Sequence, residues 1–285
     1  MSGARVYDAR PCQLGEGVFW HRVRNQLFWF DILGQSLLSL EKGEERLWRF
    51  PELVSAAGWV ERDILLIAGE RDLFLLDIET EEMQALVELE SGNRATRSND
   101  GRADPQGGFW ISTMGKAAET GAGAIYRYAD GELRKLYGGL TIPNAITFTP
   151  DGRTAQFADT RAHKVMRVAL DAAGWPVGEP STFLDLAAEG LNPDGATMDA
   201  EGLTWIAEWG AALVAAYGPD GQRVRTVAVD APHTSFPAFG PDGTLYCTTA
   251  RQGLDSAALA ASPLSGQTFA VAGVARGRAE HQVRL

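Results

Sequence analysis

Three oxygen-bearing side chains, Glu16, Asn144 and Asp194, hold the same place in a repeat that runs along this 285-residue chain. Two carboxylates and a carboxamide, with no cysteine or histidine among them, make a hard-oxygen donor set. Such a set suits Ca²⁺, Mg²⁺ or Mn²⁺ better than a structural zinc site, which wants sulfur and imidazole. A divalent ion would also relieve the repulsion of two carboxylates meeting in a confined channel. On spacing alone a second reading stands beside this one, in which the acids bind water and cap strand ends. The register is found by counting back eight or nine residues from six polar turns, at Asn25, Asp63, Gly107, Gly152, Gly202 and Gly243. The same count picks out Ser55, Asn99 and Ser235.

These positions need a scaffold that brings distant segments to one axis. The six turns are 38 to 50 residues apart, and each precedes a short β-rich run such as LFWFD, GFWIST or LTWIAE. Repeats of this length, each holding several short strands, indicate propeller blades. The fourth repeat shows the pattern: AITFTP, an Asp151-Gly152 turn, TAQFAD, HKVMRVAL and STFLDL. Asp-Gly turns between apolar runs are strong hairpin signals, and no stretch keeps a helical period. The expected fold is all-β, a six-bladed β-propeller with four-stranded antiparallel blades. Residues 1–285 are read as a single domain, its ring closed by the N-terminal segment ARVYDAR pairing with the last blade and so removing exposed sheet edges. If each inner strand runs down the channel and its neighbour returns, Glu16, Asn99, Asn144 and Asp194 share a mouth with Asp31, Thr113, Asp159 and Glu208. That face is rich in acids and suits a small-molecule site.

The bulk properties narrow the partners. A net charge of −11 argues against nucleic acid, which would need a basic patch. Two cysteines, Cys12 and Cys247, make no disulfide framework and are read as buried thiols. The start, MSGARVYDARPCQLGEG, lacks a basic-plus-apolar leader, and no apolar run approaches membrane-spanning length, so a cytoplasmic protein without a membrane partner is expected. No Gly-x-Ser-x-Gly elbow or phosphate-cradling glycine loop is present. Oligomeric state is not legible.

The segments LGEGVFWH, RSNDGRADPQGGFWISTMG, LTIPNAITFTPDGRTAQFADT, NPDGATMDAEGLTWIAEWG and PDGTLYCTTARQGLD resemble, in order, the senescence marker protein/gluconolactonase/luciferin-regenerating enzyme family. The likeness spans five of the six repeats. It implies a six-bladed propeller and one divalent cation held by Glu16, Asn144 and Asp194. It also implies substrate contacts from Arg97 and Asn99 of RSNDG. Two positions depart from the family pattern: Val18 stands where a proline is usual, and Ala145 where a glycine is usual. Both changes bear on backbone geometry and leave the ligand atoms in place.

The implied reaction is hydrolysis of a sugar-acid lactone, with calcium as the expected ion and zinc, manganese or magnesium as alternatives. Asp194 is the expected acceptor of the water proton, Arg97 the partner of sugar hydroxyls or a carboxylate, and the Asn99 amide a contact for the oxyanion. Glu119, in the Gly/Ala-rich loop GKAAETGAGA, is the expected further substrate contact. Two other functions stay open on sequence: hydrolysis of another ester-like substrate, and a calcium-binding or scaffold propeller without turnover. His163 and His233 are read mainly as ordinary turn or surface residues, and the tryptophans mainly as core between blades.

Overall fold

Apolar runs punctuated by tight turns fold into six four-stranded antiparallel sheets in the computed structural model, which describes residues 3–285. The innermost strands are Gly15–His21, Val54–Trp59, Thr96–Ala103, Pro143–Phe148, Pro193–Met198 and Thr234–Phe239. Each packs against the innermost strands on either side, so the sheets close into a ring, a six-bladed β-propeller. Five of these strands are buried along their whole length, and Gly15–His21 at all but Trp20. The outermost strands, such as Glu132–Leu140, are largely exposed. Burial between blades is apolar and aromatic: Trp29, Trp110 and Trp205 are all fully enclosed.

Each innermost strand breaks its ladder at one place. The pairing register shifts between Glu16 and Phe19, Val54 and Ala56, Ser98 and Gly101, Asn144 and Thr147, Pro193 and Ala196, and Thr234 and Phe236. The six polar positions of the repeat lie at these irregularities. An extra residue in one strand re-aims the side chain beside it, which is how a polar group leaves the blade interface for the channel. Close packing accompanies the bulge. A Cβ on Gly17 would come within 2.4 Å of the Ser55 carbonyl oxygen, so only glycine fits where blades one and two meet at Glu16.

The two ends of the chain hold the ring differently. Arg5–Asp8 pairs antiparallel with Thr268–Val271 as the outermost strand of the sixth blade. Arg10, bonded to Asp8, also donates to the carbonyls of Ser39 and Arg46 in blade one. Past Val274 the chain crosses the far end of the channel as an irregular strap. Ala200 N donates to Arg276 O, Arg278 Nη1 to Phe148 O, Trp59 Nε1 to Glu280 O, and Val283 N to Trp59 O. The strap closes that end to a void of about 20 Å³, room for roughly one water. Sequence periodicity gave no hint of it. It also missed a six-residue helix, Ser256–Ala261, capped by the Asp255 carboxylate and too short to show a period. No helix among the described residues is long and apolar enough to cross a membrane.

Candidate active site

At the open end of the channel lies a cavity of about 580 Å³. Glu16, Asn99, Asn144 and Asp194, one from each of four innermost strands, line it together with Arg97. The other two repeat positions do not reach it. Ser55 donates to Ser98 Oγ, and Ser235 Oγ donates to Gly15 O and shares a hydrogen bond with Thr248 Oγ1, so both serines tie neighbouring strands together.

The amide and guanidinium groups form one relay. Arg97 Nη1 donates to Asn99 Oδ1 at 2.8 Å and to Ser98 O at 2.8 Å. Asn99 Nδ2 donates to Asn144 Oδ1 at 2.9 Å and to Pro143 O at 3.1 Å. Asn144 Nδ2 donates to Thr160 Oγ1 at 2.9 Å, which donates in turn to Pro193 O at 2.6 Å. Each amide is thereby held in one orientation, with the Asn144 oxygen keeping one lone pair free. Both hydrogens of Asn99 Nδ2 are engaged, so this amide has none left for an oxyanion. Arg97 keeps Nε and Nη2 without partners among the described residues.

The carboxylates are under strain of charge. Glu16 and Asp194 are buried, and beyond the Gly17 N–H on Glu16 Oε2 no described residue donates to either. Burial, and then the neighbouring acids, push both well above the usual carboxylate range; Arg97 pulls the other way. Asp100, deeper in the wall, accepts from Ile146 N at 2.8 Å, and burial raises it to about 6. Burial lowers Arg97 to about 10, so it stays charged at neutral pH. A buried carboxylate without hydrogen-bond donors, beside a second acid, calls for a proton or a cation. Glu16, Asp194 and the Asn144 oxygen therefore fit a hard divalent ion. Among the described residues no three His, Cys, Asp or Glu side chains converge as a metal cluster, so the amide oxygen is integral to that set.

Ala145, next to Asn144, adopts φ 56°, the left-handed region that favours glycine. The irregularity that turns Asn144 into the channel is thus built here with an alanine, at a conformational cost of roughly 1 kcal/mol.

The strand-ending residues lie at the same mouth but do other work. Asp31 accepts from Gln13 N, Leu14 N and Gly34 N, and Asp159 from Thr141 N, Ile142 N and Arg161 N. Thr113 donates to Glu90. Glu208 is wholly buried, accepts the Tyr217 hydroxyl at 2.9 Å, and is raised to about 8 by burial. The residue after each of three of these, Met114, Thr160 and Trp209, is what reaches the cavity. Side chains alternate along a strand, so a one-residue step decides which surface is met.

The structure does not bring Glu119 to the cavity. Its exposed carboxylate turns back to accept Ala117 N at 3.1 Å, bracing the loop, while Lys116, Ala117 and Ala118 line the wall. His163 bonds the Leu191 carbonyl away from the site. His233, read from sequence mainly as an ordinary residue, does line the cavity, stacked on Trp209, which the sequence did not single out. Cys12 and Cys247 are buried free thiols.

With this geometry in view, comparison with known proteins places the chain. Residues 14–251 match the family model described as SMP-30/Gluconolactonase/LRE-like region, and the chain belongs to that family. A protein of Rhizobium meliloti (strain 1021), provisionally named a sugar lactone lactonase, is 42% identical over 99% of this chain and 97% of its own length. The L-arabinolactonase of Azospirillum brasilense is 34% identical over 90% of this chain and 87% of its own. A crystal structure of a calcium-binding protein, regucalcin, from Agrobacterium tumefaciens str. C58 superposes with a TM-score of 0.96 at 41% identity, covering 100% of this chain and 98% of that one.

Proposed function

We propose that this protein is a lactonase that opens a sugar-acid lactone with the help of one divalent cation held by Glu16, Asn144 and Asp194. Relatives named as lactonases support the enzyme class. The observation that carries the site is the buried, donorless Asp194 carboxylate beside Glu16, facing the free edge of Arg97 across one cavity. When bound, the cation would polarise the lactone carbonyl as a Lewis acid. Calcium fits the oxygen donors best, and the regucalcin relative is titled a calcium-binding protein.

The chain's own residues supply the rest. Asp194, lining the cavity beside Glu16, accepts a proton from the attacking water at a carboxylate oxygen. The water oxygen bonds to the carbonyl carbon, the ring C–O bond breaks, and the leaving ring oxygen takes up a proton, giving the open hydroxy acid. Arg97 offers Nε and Nη2 to substrate oxygens, while Nη1 is fixed by Asn99. Asn99 is a positioning residue here: it orients both Arg97 and the Asn144 oxygen. Glu119 shapes the loop at the mouth. A calcium binder without turnover would have no use for the unpaired donors of Arg97, which favours the enzyme.

Asp194→Asn tests the reading. It keeps the shape and removes the base, and should lower aldonolactone turnover by about 10²–10⁴-fold. Turnover within threefold of the unsubstituted protein would contradict the assignment.

A further inference from the structure

The cavity has two walls of unlike chemistry. One carries the acids, the amides and Arg97. The other includes the Trp209 and His233 rings, with Leu14 in the apolar cluster against which Trp209 packs. The Trp209 and His233 rings stack with centroids 4.2 Å apart and planes 15° from parallel. Their backbones are joined by an isolated antiparallel bridge. Trp209 is held further by its N–H on Asn192 O and by Asn192 Nδ2 on its carbonyl, both at 2.9 Å. His233 is anchored through its carbonyl, which accepts Ala250 N at 3.0 Å. The pair is therefore rigid, and Trp209 packs behind against the core cluster that includes Leu14 and Ala250.

The polar neighbour on this side is Gln252, which lines the cavity next to His233. His233 Nδ1 is sealed from solvent without a hydrogen-bond partner among the described residues, so that edge of the ring is not the one offered to the cavity. Burial holds its pKa below the ordinary value, which keeps the ring uncharged at neutral pH. The ammonium of Lys116, also at the mouth, is taken by Glu70 at 2.6 Å. The Trp209 indole N–H has no partner among the described residues and is not sealed off.

We propose that the Trp209–His233 stack is an aromatic platform for the C–H face of a sugar-lactone ring, selecting compact polyhydroxylated cyclic lactones over lactones with long aliphatic tails. This rests on the lactonase reading above. A sugar lactone is amphipathic: oxygens project from its edge, while axial C–H bonds make one face apolar. A flat, neutral aromatic surface matches that face, and the polar wall matches the edge. The unpaired indole N–H can donate to an edge hydroxyl. The platform contributes to binding and leaves the chemical step to the other wall, so its loss should raise KM while sparing kcat.

The experiment compares Trp209→Leu, Trp209→Phe and His233→Ala with the unsubstituted protein, using D-glucono-1,5-lactone turnover and fluorescence titration with the non-hydrolysable D-glucono-1,5-lactam. The Leu variant should show KM raised about three- to tenfold with kcat within twofold, and the Phe variant should recover most of the loss. Saturable fluorescence change with the lactam should appear in the unsubstituted protein and vanish in the Leu variant. If the Leu variant fails to fold, His233→Ala, which removes the stacking partner alone, should still raise KM. Lactone turnover with unchanged KM in Trp209→Leu, or in His233→Ala where that variant must stand in, would overturn the platform and leave the lactonase reading intact. Lactam binding that depends on Trp209, without turnover of any lactone, would overturn the lactonase reading and keep the platform as a ring-binding site. Neither binding nor turnover would overturn both.

Discussion

Asn99 Nδ2 donates to Asn144 Oδ1 at 2.9 Å, while Asn99 Oδ1 accepts Arg97 Nη1 at 2.8 Å. One carboxamide thus locks the guanidinium proposed to meet substrate to the amide oxygen proposed to meet a cation. Asn99→Ala removes both bonds and leaves the Asn144 amide held only through its Nδ2 on Thr160 Oγ1. Residues that orient a metal ligand typically matter by 10–100-fold, so calcium affinity measured by isothermal titration should weaken by about that factor. An affinity within twofold of the unsubstituted protein would separate the two halves of the site.

Repulsion among buried acids makes a prediction about the metal-stripped protein. Glu16, Asp100 and Asp194 are all raised by burial, with like charges adding to the shift on Glu16 and Asp194. Their neutral forms are favoured by folding, so stability without metal should fall as pH rises above their unfolded values. Restoring calcium at about 100 times its Kd should add about 2.7 kcal/mol at pH 8. Asp194→Asn should melt higher than the unsubstituted protein without metal and gain little from calcium. Thermal scans with and without EDTA decide this.

Glu208 gives a separate pH signal because its side chain is buried behind the cavity lining rather than in it. Burial raises it to about 8 from an ordinary 4.5, and Oε2 has no partner. The folded state therefore holds a proton that the unfolded chain releases, and the cost of folding grows between pH 4.5 and pH 8. Glu208→Gln keeps an acceptor for Tyr217 and removes that cost. It should be more stable by roughly 1–3 kcal/mol at pH 8, with the difference vanishing near pH 4.5. A difference independent of pH would contradict the assignment.

Ala145 holds a left-handed backbone at φ 56°. Ala145→Gly should relieve it and stabilise the protein by roughly 0.5–1 kcal/mol in denaturant melts, since the steric relief exceeds the added chain entropy. Destabilisation would mean the Ala145 methyl, fully buried against the blade-four core, contributes more packing than the backbone loses.

Val283 anchors the strap. It is almost fully buried between blades two and three, and a Cβ on Gly58 would come within 2.5 Å of its side chain. Val283→Asp places a charge there and should cost about 3 kcal/mol or more in stability. An unchanged melting temperature would show that the strap is dispensable.

Sequence periodicity carried the architecture because each blade repeats a polar turn at a fixed distance from one bulged position. It carried Glu16, Asn99, Asn144 and Asp194 into one cavity for the same reason. Ser55 and Ser235 share the register yet bond neighbouring strands, a distinction set by local geometry that spacing does not encode. Thr160 and Trp209 lay one residue past the strand ends that looked important, where alternation reverses which surface a side chain meets. Glu119 does not line the cavity because a loop carboxylate can satisfy its own backbone, as here with Ala117 N. The strap after Val274 has no periodicity, since its bonds run to inner-strand ends and turns of several blades around the channel floor.

The central claim is tested most directly by proton release from a panel of aldonolactones, with metal-stripped protein and with Ca²⁺, Mg²⁺, Mn²⁺ or Zn²⁺ restored. The account predicts hydrolysis well above the spontaneous rate, lost on stripping, regained with at least one ion, and lowered about 10²–10⁴-fold in Asp194→Asn. Folded protein that leaves every lactone at its spontaneous rate with every ion would contradict it.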